Sequence, residues 1–495
     1  MEAAEVVPGS PTRILASERQ VTRLGETVFR TGRVSEDAIA LNCEVLAKMA
    51  AIYRALDVIG VRAVATSSVR EARNQAEFLA RASEAIGGPA EVITGREEAR
   101  LVHAGVQSRW PHPRQRLLII DIGGGSAEII GSENGRLIDA VSKPLGAVRL
   151  REIFLASDPA TPRELHQMED YIRERLSGIA RRFGPAHWDR FIATSGTAST
   201  VACAINNVPR SKRDEADRLR TSTAQVRKLY KKLGQLSLQE RRKVRGVGPR
   251  RAEIIVPGTA VLLRILEEFR APSVNYSAAG IRDGIIADLA ARGIGRELAQ
   301  LSGDQRKEVE RMCLRYGTPL KHARKVAAFA STLFHELQPL HQLSPGYGKL
   351  LEAAAYLHDI GHYVNDVSHH KHSYYLVANS DVSGFSRPEL EFIANLCRYH
   401  RKATPSPDHM NLRTLDQKEK PALLLLMPLL RIADNLDRSG EQRIRSIECQ
   451  IRNGQAVIRL RASGDIELEQ WAVERSGDVF RQVYGRPLAI LRAED

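Results

Sequence analysis

Cysteine is scarce and unpatterned in this chain. Five are scattered over 495 residues, Cys43, Cys203, Cys313, Cys397 and Cys449, with no CxxC pair; this argues against a zinc ribbon, and the odd count against a disulfide framework. A reducing, cytoplasmic setting is the expectation. Aromatic residues make up 5% of the chain although 43% is hydrophobic, so its cores are expected to be aliphatic and the composition is remote from that of a disordered chain. Long apolar runs are missing as well: no stretch reaches the roughly 18 residues of a membrane span, and the first residues lack the basic-then-apolar layout of a secretory leader. A soluble, unexported protein without a membrane partner is expected. Negative charge is also in deficit, with 59 Asp and Glu against 73 Lys and Arg and a formal net charge of +14. That surplus favours a polyanionic partner such as nucleic acid, polyphosphate or an acidic surface.

The length suggests about three or four domains, and no internal repeat is visible. In the first 118 residues short strands alternate with helices: a Pro-Gly turn at Val7–Pro11, an amphipathic helix from Ser35 to Leu56, a strand at Val61–Ala65 and a helix from Arg70 to Ala85. Alternation of this kind predicts a layered α/β domain. A second α/β unit runs from 119 to 297 and its strands end in small-residue turns, at Asp121–Glu128, Thr194–Thr197 and Ala278–Gly284. From 298 to 440 the pattern is one of successive amphipathic helices, and 441–495 forms a small α+β tail with strands at Ile444–Cys449 and Ala456–Ala462 and a terminal helix.

The run Leu117-Leu118-Ile119-Ile120-Asp121-Ile122-Gly123-Gly124-Gly125-Ser126-Ala127-Glu128 is an apolar strand leading an acid into a glycine-rich turn. Glycines let the backbone approach an anion and turn N–H groups toward it, and the two bracketing carboxylates suit a divalent cation. A tight strand-to-strand turn with solubilising acids is the blander reading. Two more strand-to-helix junctions carry polar clusters. Thr66-Ser67-Ser68-Val69-Arg70-Glu71-Ala72-Arg73-Asn74 offers hydroxyls and arginines at a helix start, suited to an anion or to N-capping alone, and Gly95-Arg96-Glu97-Glu98-Ala99-Arg100-Leu101 opens a helix with paired glutamates. Between Val208 and Ala252 Arg and Lys crowd against four acids, either as a solvated helix face or as a surface along the path of a long polyanion.

In this order, and with Leu145–Leu150, Arg251–Gly258 and Gly280–Gly284, these motifs resemble those of the exopolyphosphatase and guanosine pentaphosphate phosphatase (Ppx/GppA) family over residues 4–440. The resemblance implies an α/β actin-like, ribonuclease H-like core of two lobes. It carries to Glu98 the role of general base toward an attacking water, to Asp121 and Glu128 that of ligands for Mg²⁺, to Gly123, Gly124, Gly125 and Ser126 a phosphate cradle, and to Arg70 a phosphate contact. Glu97 is expected to face solvent. The implied substrate is inorganic polyphosphate, hydrolysed from its end; the alternatives are guanosine pentaphosphate (pppGpp), and a polyphosphate-binding regulator with an inactive core and phosphohydrolase activity in an HD-type domain. The charge favours the polymer, no specific nucleic acid is expected, and a homodimer is the assembly common in the family.

Family members open with an apolar strand entering an Asp-x-Gly-Ser-Asn-Ser loop, which does not occur before Val6-Val7-Pro8-Gly9 here. The expectation is a start placed too late, the rival a lineage that lost the loop and its activity. Farther on, His358-Asp359 ends an apolar helix, with His322 in the preceding helix and Asp434 in a later one. His322, His358, Asp359 and Asp434 resemble the metal set of HD-domain phosphohydrolases, so residues 298–440 are expected to form an all-α HD-type domain holding a divalent metal. His369, His370, His372 and His400 would complete a second metal site or contact polyphosphate. A basic channel is expected to run from the lobes toward this domain.

Overall fold

The computed structural model describes residues 1–7, 12–22, 24–26, 28–184, 187–291, 300–452 and 454–492. The Pro8–Pro11 portion of the expected turn and the expected boundary at 297/298 lie outside them. The chain divides into two compact units, Met1–Ala290 and Ala291–Asp495.

The first unit is organised by a six-stranded mixed sheet in the order Arg136–Lys143, Ala127–Glu133, Arg116–Ile122, Arg190–Thr194, Ser273–Tyr276, Arg220–Ser222. The first three are an antiparallel meander, the next two join in parallel after helical crossovers, and the last is an antiparallel edge. The central strand reads as an unbroken apolar run because both of its faces are buried. Leu118, Ile120 and Ile122 enter one core with Met168, Val201 and Leu262. Leu117 and Ile119 enter another, beneath Ala99, Val102 and Val106 of the helix Gly95–Arg109. Since side chains alternate along a strand, Asp121 continues the second face, on the side of that helix.

Before this sheet come the helix Glu36–Ala55, capped by the Ser35 hydroxyl accepting from the Ala38 N–H at 3.3 Å, and two separate strand pairs. Glu2–Glu5 pairs with Arg13–Ser17 in antiparallel fashion, and Ala63–Ala65 runs parallel to Ala90–Val92. The single helix expected from Arg70 to Ala85 is two, Ser67–Glu71 and Gln75–Ile86, with Ala72 extended between them. Asn74 explains the break: its side-chain amide accepts from the Val34 N–H and donates to the Val34 carbonyl, each at 3.0 Å, a backbone-like pairing that competes with helix.

The second unit packs the helices Gly303–Arg315, Leu320–Glu336, Gly346–Leu357, His369–Ala378, Arg387–Tyr399 and Lys420–Asn435 around an aliphatic core. The tail shares that core through Ile444, Ile458, Leu460 and Phe480. Its helix Glu467–Tyr484 is not terminal: the chain returns as a strand, Leu488–Arg492, parallel to Gln455–Ala462. Among the described residues no helix is long and apolar enough to cross a membrane.

Candidate functional sites

Asp121 and Glu128 are direct cross-strand partners, and Ser142 stands opposite Glu128 on the next strand. Cross-strand partners share a sheet face, so the two acids lie side by side under the start of the helix Gly95–Arg109. The Thr94 hydroxyl caps that helix, accepting from the Glu97 N–H at 3.1 Å, and its first turn delivers Glu98 to the acids. Glu98 is 8% exposed. Desolvation, with the Asp121 charge adding to it and Arg70 opposing, pushes its carboxyl up to about 7. The Arg70 guanidinium lies 3.4 Å from Glu98 and donates to the Ile93 carbonyl at 2.7 Å. Burial and then the charges of Glu98 and Asp121 hold Glu128 well above the usual carboxylate range, and burial raises Asp121. Ser142 donates to one Glu128 oxygen at 2.7 Å; the other Glu128 oxygen and Asp121 Oδ1 are buried without a partner among the described residues. Orphaned buried carboxylate oxygens in a pair are a fit for a divalent cation.

Glu97 corrects the expectation of a solvent-facing residue. It is 3% exposed and bound by Arg62 at 3.2 Å and by Arg100 at 2.8 Å, both of which also bind Asp288. Position on the helix alone does not reveal the arginine and the second acid that cross over it. The same helix meets Ile281–Ala291 backbone to backbone: a Cβ on Gly105 would lie 2.1 Å from the Gly280 carbonyl oxygen, and one on Gly284 1.7 Å from that of Leu101.

In the glycine loop the Gly123 and Gly124 carbonyls accept from Ala147, Val148 and Arg149 at the start of the helix Ala147–Phe154. The Gly124 and Gly125 N–H groups have no acceptor among the described residues. Gly125 is pressed against the N-terminal part, where a Cβ would stand 2.5 Å from Ser67 Oγ and 2.6 Å from the Phe29 ring. Ser126 is buried. Arg149 ties the pieces together, donating to the Gly125 carbonyl at 2.7 Å, reaching Ser67 and Glu71, and lying over Phe29.

The small-residue turn at Thr194–Thr197, for which the sequence offers no role, adjoins the same site. Ser195 has φ of +67° and its hydroxyl donates to the Ile122 carbonyl at 2.9 Å, next to Asp121. The Arg251 guanidinium covers Gly196. Burial, then the charges of Arg210, Arg19 and Arg213, lower its pKa. The basic segment thus divides: Arg227 and Arg241 are taken up by Glu267 and Asp158, while Arg210, Arg213 and Arg251 converge near this turn.

A model of the Ppx/GppA phosphatase family matches residues 3–292, and one of domain III of Ppx/GppA phosphatases matches 305–473. The chain belongs to the Ppx/GppA phosphatase family. It is similar to the crystal structure of the family member from Aquifex aeolicus, with 28% identity, a TM-score of 0.51, and coverage of 59% of this chain and 94% of that one. An exopolyphosphatase from Cytophaga hutchinsonii shares the fold, at 24% identity and a TM-score of 0.54 over 58% of this chain and 93% of its own. The first unit is accordingly the two-lobed, actin-like core of a phosphatase, and this Ppx/GppA protein is a hydrolase of phosphoric anhydrides.

Within the Ppx/GppA domain III match, the sequence-selected His322, His358, Asp359 and Asp434 come together. His358 Nε2 is 3.2 Å from Asp434 and 3.5 Å from Asp359 Oδ2, and His322 Nε2 is 3.5 Å from Asp434. The opposite ring nitrogens are held from outside: His322 Nδ1 by Asp437 at 2.8 Å and His358 Nδ1 by the Ala355 carbonyl at 2.8 Å. Burial opposes a charge on His322, but the Asp434 and Asp437 carboxylates win and push it up to about 10. His369 and His400 gather on the other side of Asp359 with His362. His370 is buried beside His369, and His372 is in neither metal grouping among the described residues. Asp437 and His362 were missed in the sequence; each lies three positions after a selected aspartate.

Proposed function

We propose that this Ppx/GppA phosphatase is an exopolyphosphatase, with Glu98 as its general base. The observation that carries the reading is the meeting of a Glu98 carboxyl raised to about 7 with the unpartnered oxygens of Asp121 and Glu128. A base of that pKa can take a proton from water near neutral pH as the water attacks the terminal phosphorus, and the P–O–P bond to the shortened chain breaks. Asp121 and Glu128 would hold Mg²⁺, which when bound supplies positive charge against the phosphate oxygens. The Gly124 and Gly125 N–H groups cradle the terminal phosphate, with Arg70 as a further contact. The Arg210, Arg213 and Arg251 group near the Gly196 turn supports a polyanionic substrate. Residues 298–440 are read as an HD-type domain in which His322, His358, Asp359 and Asp434 hold a divalent ion, and lobe boundaries at 118 and 297 accompany this reading.

The test is orthophosphate release from long-chain polyphosphate and from pppGpp, with Mg²⁺, by the unsubstituted chain and by Glu98→Gln. Release from the polymer, at a higher kcat/KM than from pppGpp and abolished in Glu98→Gln with binding retained, is the expected result. Release confined to pppGpp overturns the substrate, and turnover that survives Glu98→Gln overturns the base.

A further inference from the structure

The end of the large sheet opposite Asp121 carries a group of basic side chains that the phosphatase site does not use. Arg190 opens the strand Arg190–Thr194, whose last residue pairs with Asp121. It therefore stands back from that acid along the strand by roughly 13 Å, at about 3.3 Å per residue. Its guanidinium carbon lies 5.1 Å from the centre of the Trp110 ring and that of Arg218 5.4 Å, and the His112 ring packs against the same tryptophan at 4.8 Å. The backbone fixes two of them. The His112 N–H donates to Gln107 Oε1 at 3.1 Å, and Arg218, with φ of +64°, donates to the Arg109 carbonyl at 3.1 Å.

Several polar atoms of this group are left over by the fold. His112 is 8% exposed, yet its Nε2 has no hydrogen-bond partner among the described residues, and neither has the buried Arg190 Nε or Gln115 Oε1. Burial, then the Arg190 charge, lowers the His112 pKa, with the Gln115 amide opposing and Arg218 adding to the fall. The imidazole is thus neutral near pH 7 and able to donate from Nε2. Stacking on tryptophan holds the guanidiniums in place without neutralising them. Neighbouring acids are engaged: Asp189 accepts from the Arg116 N–H at 2.6 Å, Asp283 is bound by Arg109 at 2.9 Å, and Asp217 is 3.7 Å from Arg218 at the surface. Orphaned buried donors call for an acceptor. The two charges call for an anion, and Gln115 Oε1 for an anion that also carries a hydrogen.

We propose that Trp110, His112, Gln115, Arg190 and Arg218 form an anion site apart from the catalytic one, which binds a phosphate group that still carries a hydrogen: free orthophosphate or the end of a phosphate chain. Such a group offers oxygens to Arg190, Arg218 and His112 Nε2 and its O–H to Gln115 Oε1. Sulfate, of the same shape, has no hydrogen to give at neutral pH, and neither have the interior phosphates of a polymer. Each turnover of a phosphoric anhydride hydrolase releases orthophosphate, so the ligand is at hand without a further partner. A single strand joins the two sites: it begins at Arg190 and ends at Thr194, before the Ser195 hydroxyl that donates to the Ile122 carbonyl next to Asp121.

Trp110 is the reporter. The full chain carries three tryptophans, and with Trp188→Phe and Trp471→Phe its fluorescence comes from Trp110 alone. Emission is followed in EDTA, at constant ionic strength, as sodium phosphate, sodium sulfate or tripolyphosphate is added. A saturable change with phosphate is expected, with sulfate at least about tenfold weaker. Phosphate affinity should fall at least about tenfold in Arg190→Gln and in Arg218→Gln, each of which removes a charge-assisted hydrogen bond. Arg218 is at the surface, so its replacement tests the site without opening the core, and circular dichroism confirms that each variant is folded. The response should survive Arg251→Ala, which takes away the guanidinium over the Gly196 turn and leaves this end of the sheet intact. Tripolyphosphate binding more tightly than orthophosphate assigns the site to a chain end, and equal or weaker binding assigns it to the free product. No saturable change, sulfate binding as well as phosphate, a response unaltered in either arginine variant, or one abolished by Arg251→Ala overturns the proposal.

Discussion

Replacing Glu98 with Gln is expected to make the first unit more stable while abolishing its activity. In the folded protein the carboxyl rises from 4.5 to about 7, chiefly by desolvation. The sign follows from proton linkage. Below the unfolded value both states carry the proton and the group contributes nothing. Between 4.5 and about 7 the unfolded chain has lost its proton while the folded one keeps it, so stability falls as pH rises, and above about 7 the full loss is in place. At about 1.36 kcal/mol per pH unit the loss comes to roughly 3 kcal/mol. Gln is neutral at every pH and escapes it. Urea unfolding in EDTA, followed from pH 5 to pH 8.5, should show Glu98→Gln close to the parent at pH 5 and more stable by up to about 3 kcal/mol at pH 8.5, with Mg²⁺ narrowing the gap by stabilising the ionised parent. Parallel pH profiles for the two proteins, or a Gln variant weaker than the parent at pH 8.5, would refute the assignment of buried charge to this site.

Phosphate release should rise with pH through a midpoint no higher than about 7, the value of Glu98 without a cation beside it; a rate that stays flat down to pH 4 counts against it as the base. Glu97→Gln removes a carboxylate locked between Arg62 and Arg100 and should cost about 3 to 5 kcal/mol in urea unfolding, whereas a loss under 1 kcal/mol would mean the ion network is slack. Arg251→Ala should raise KM for long-chain polyphosphate with kcat kept, and reduce the salt dependence of binding by about one ion; an unchanged salt slope excludes that arginine from the substrate path.

The central site is legible in the sequence where local rules suffice. Asp121 and Glu128 are separated by a tight turn, so a hairpin that closes on the glycines must put them opposite one another, and Thr94 marks the helix start that presents Glu98. What the sequence hides is contact between distant segments. Glu97 is buried by Arg62 and Asp288, the latter bound through an arginine 188 residues away from it. The helix break at Ala72 depends on Asn74 reaching Val34 across 40 residues. In the second unit His358 and Asp359 stand out as an adjacent pair, while Asp437 and His362, each three positions after a candidate ligand, show their part once the fold brings Asp437 to His322 and His362 to Asp359. The basic segment at 208–252 is dense as a string of letters, yet folding sends its members to different partners.

The contact of Gly105 with Gly280, and of Gly284 with Leu101, has a mechanical consequence. With no side chains to part them, the helix that bears Glu98 is clamped to Ile281–Ala291 and to the large sheet that carries Asp121 and Glu128. Arg70 and Ser67 belong instead to the core of Val69, Ala72 and Phe78. A hinge motion between the two would therefore be absorbed by Arg70, the further phosphate contact, and not by the spacing of base and acids, so that substrate could be taken up and released without resetting the geometry of attack.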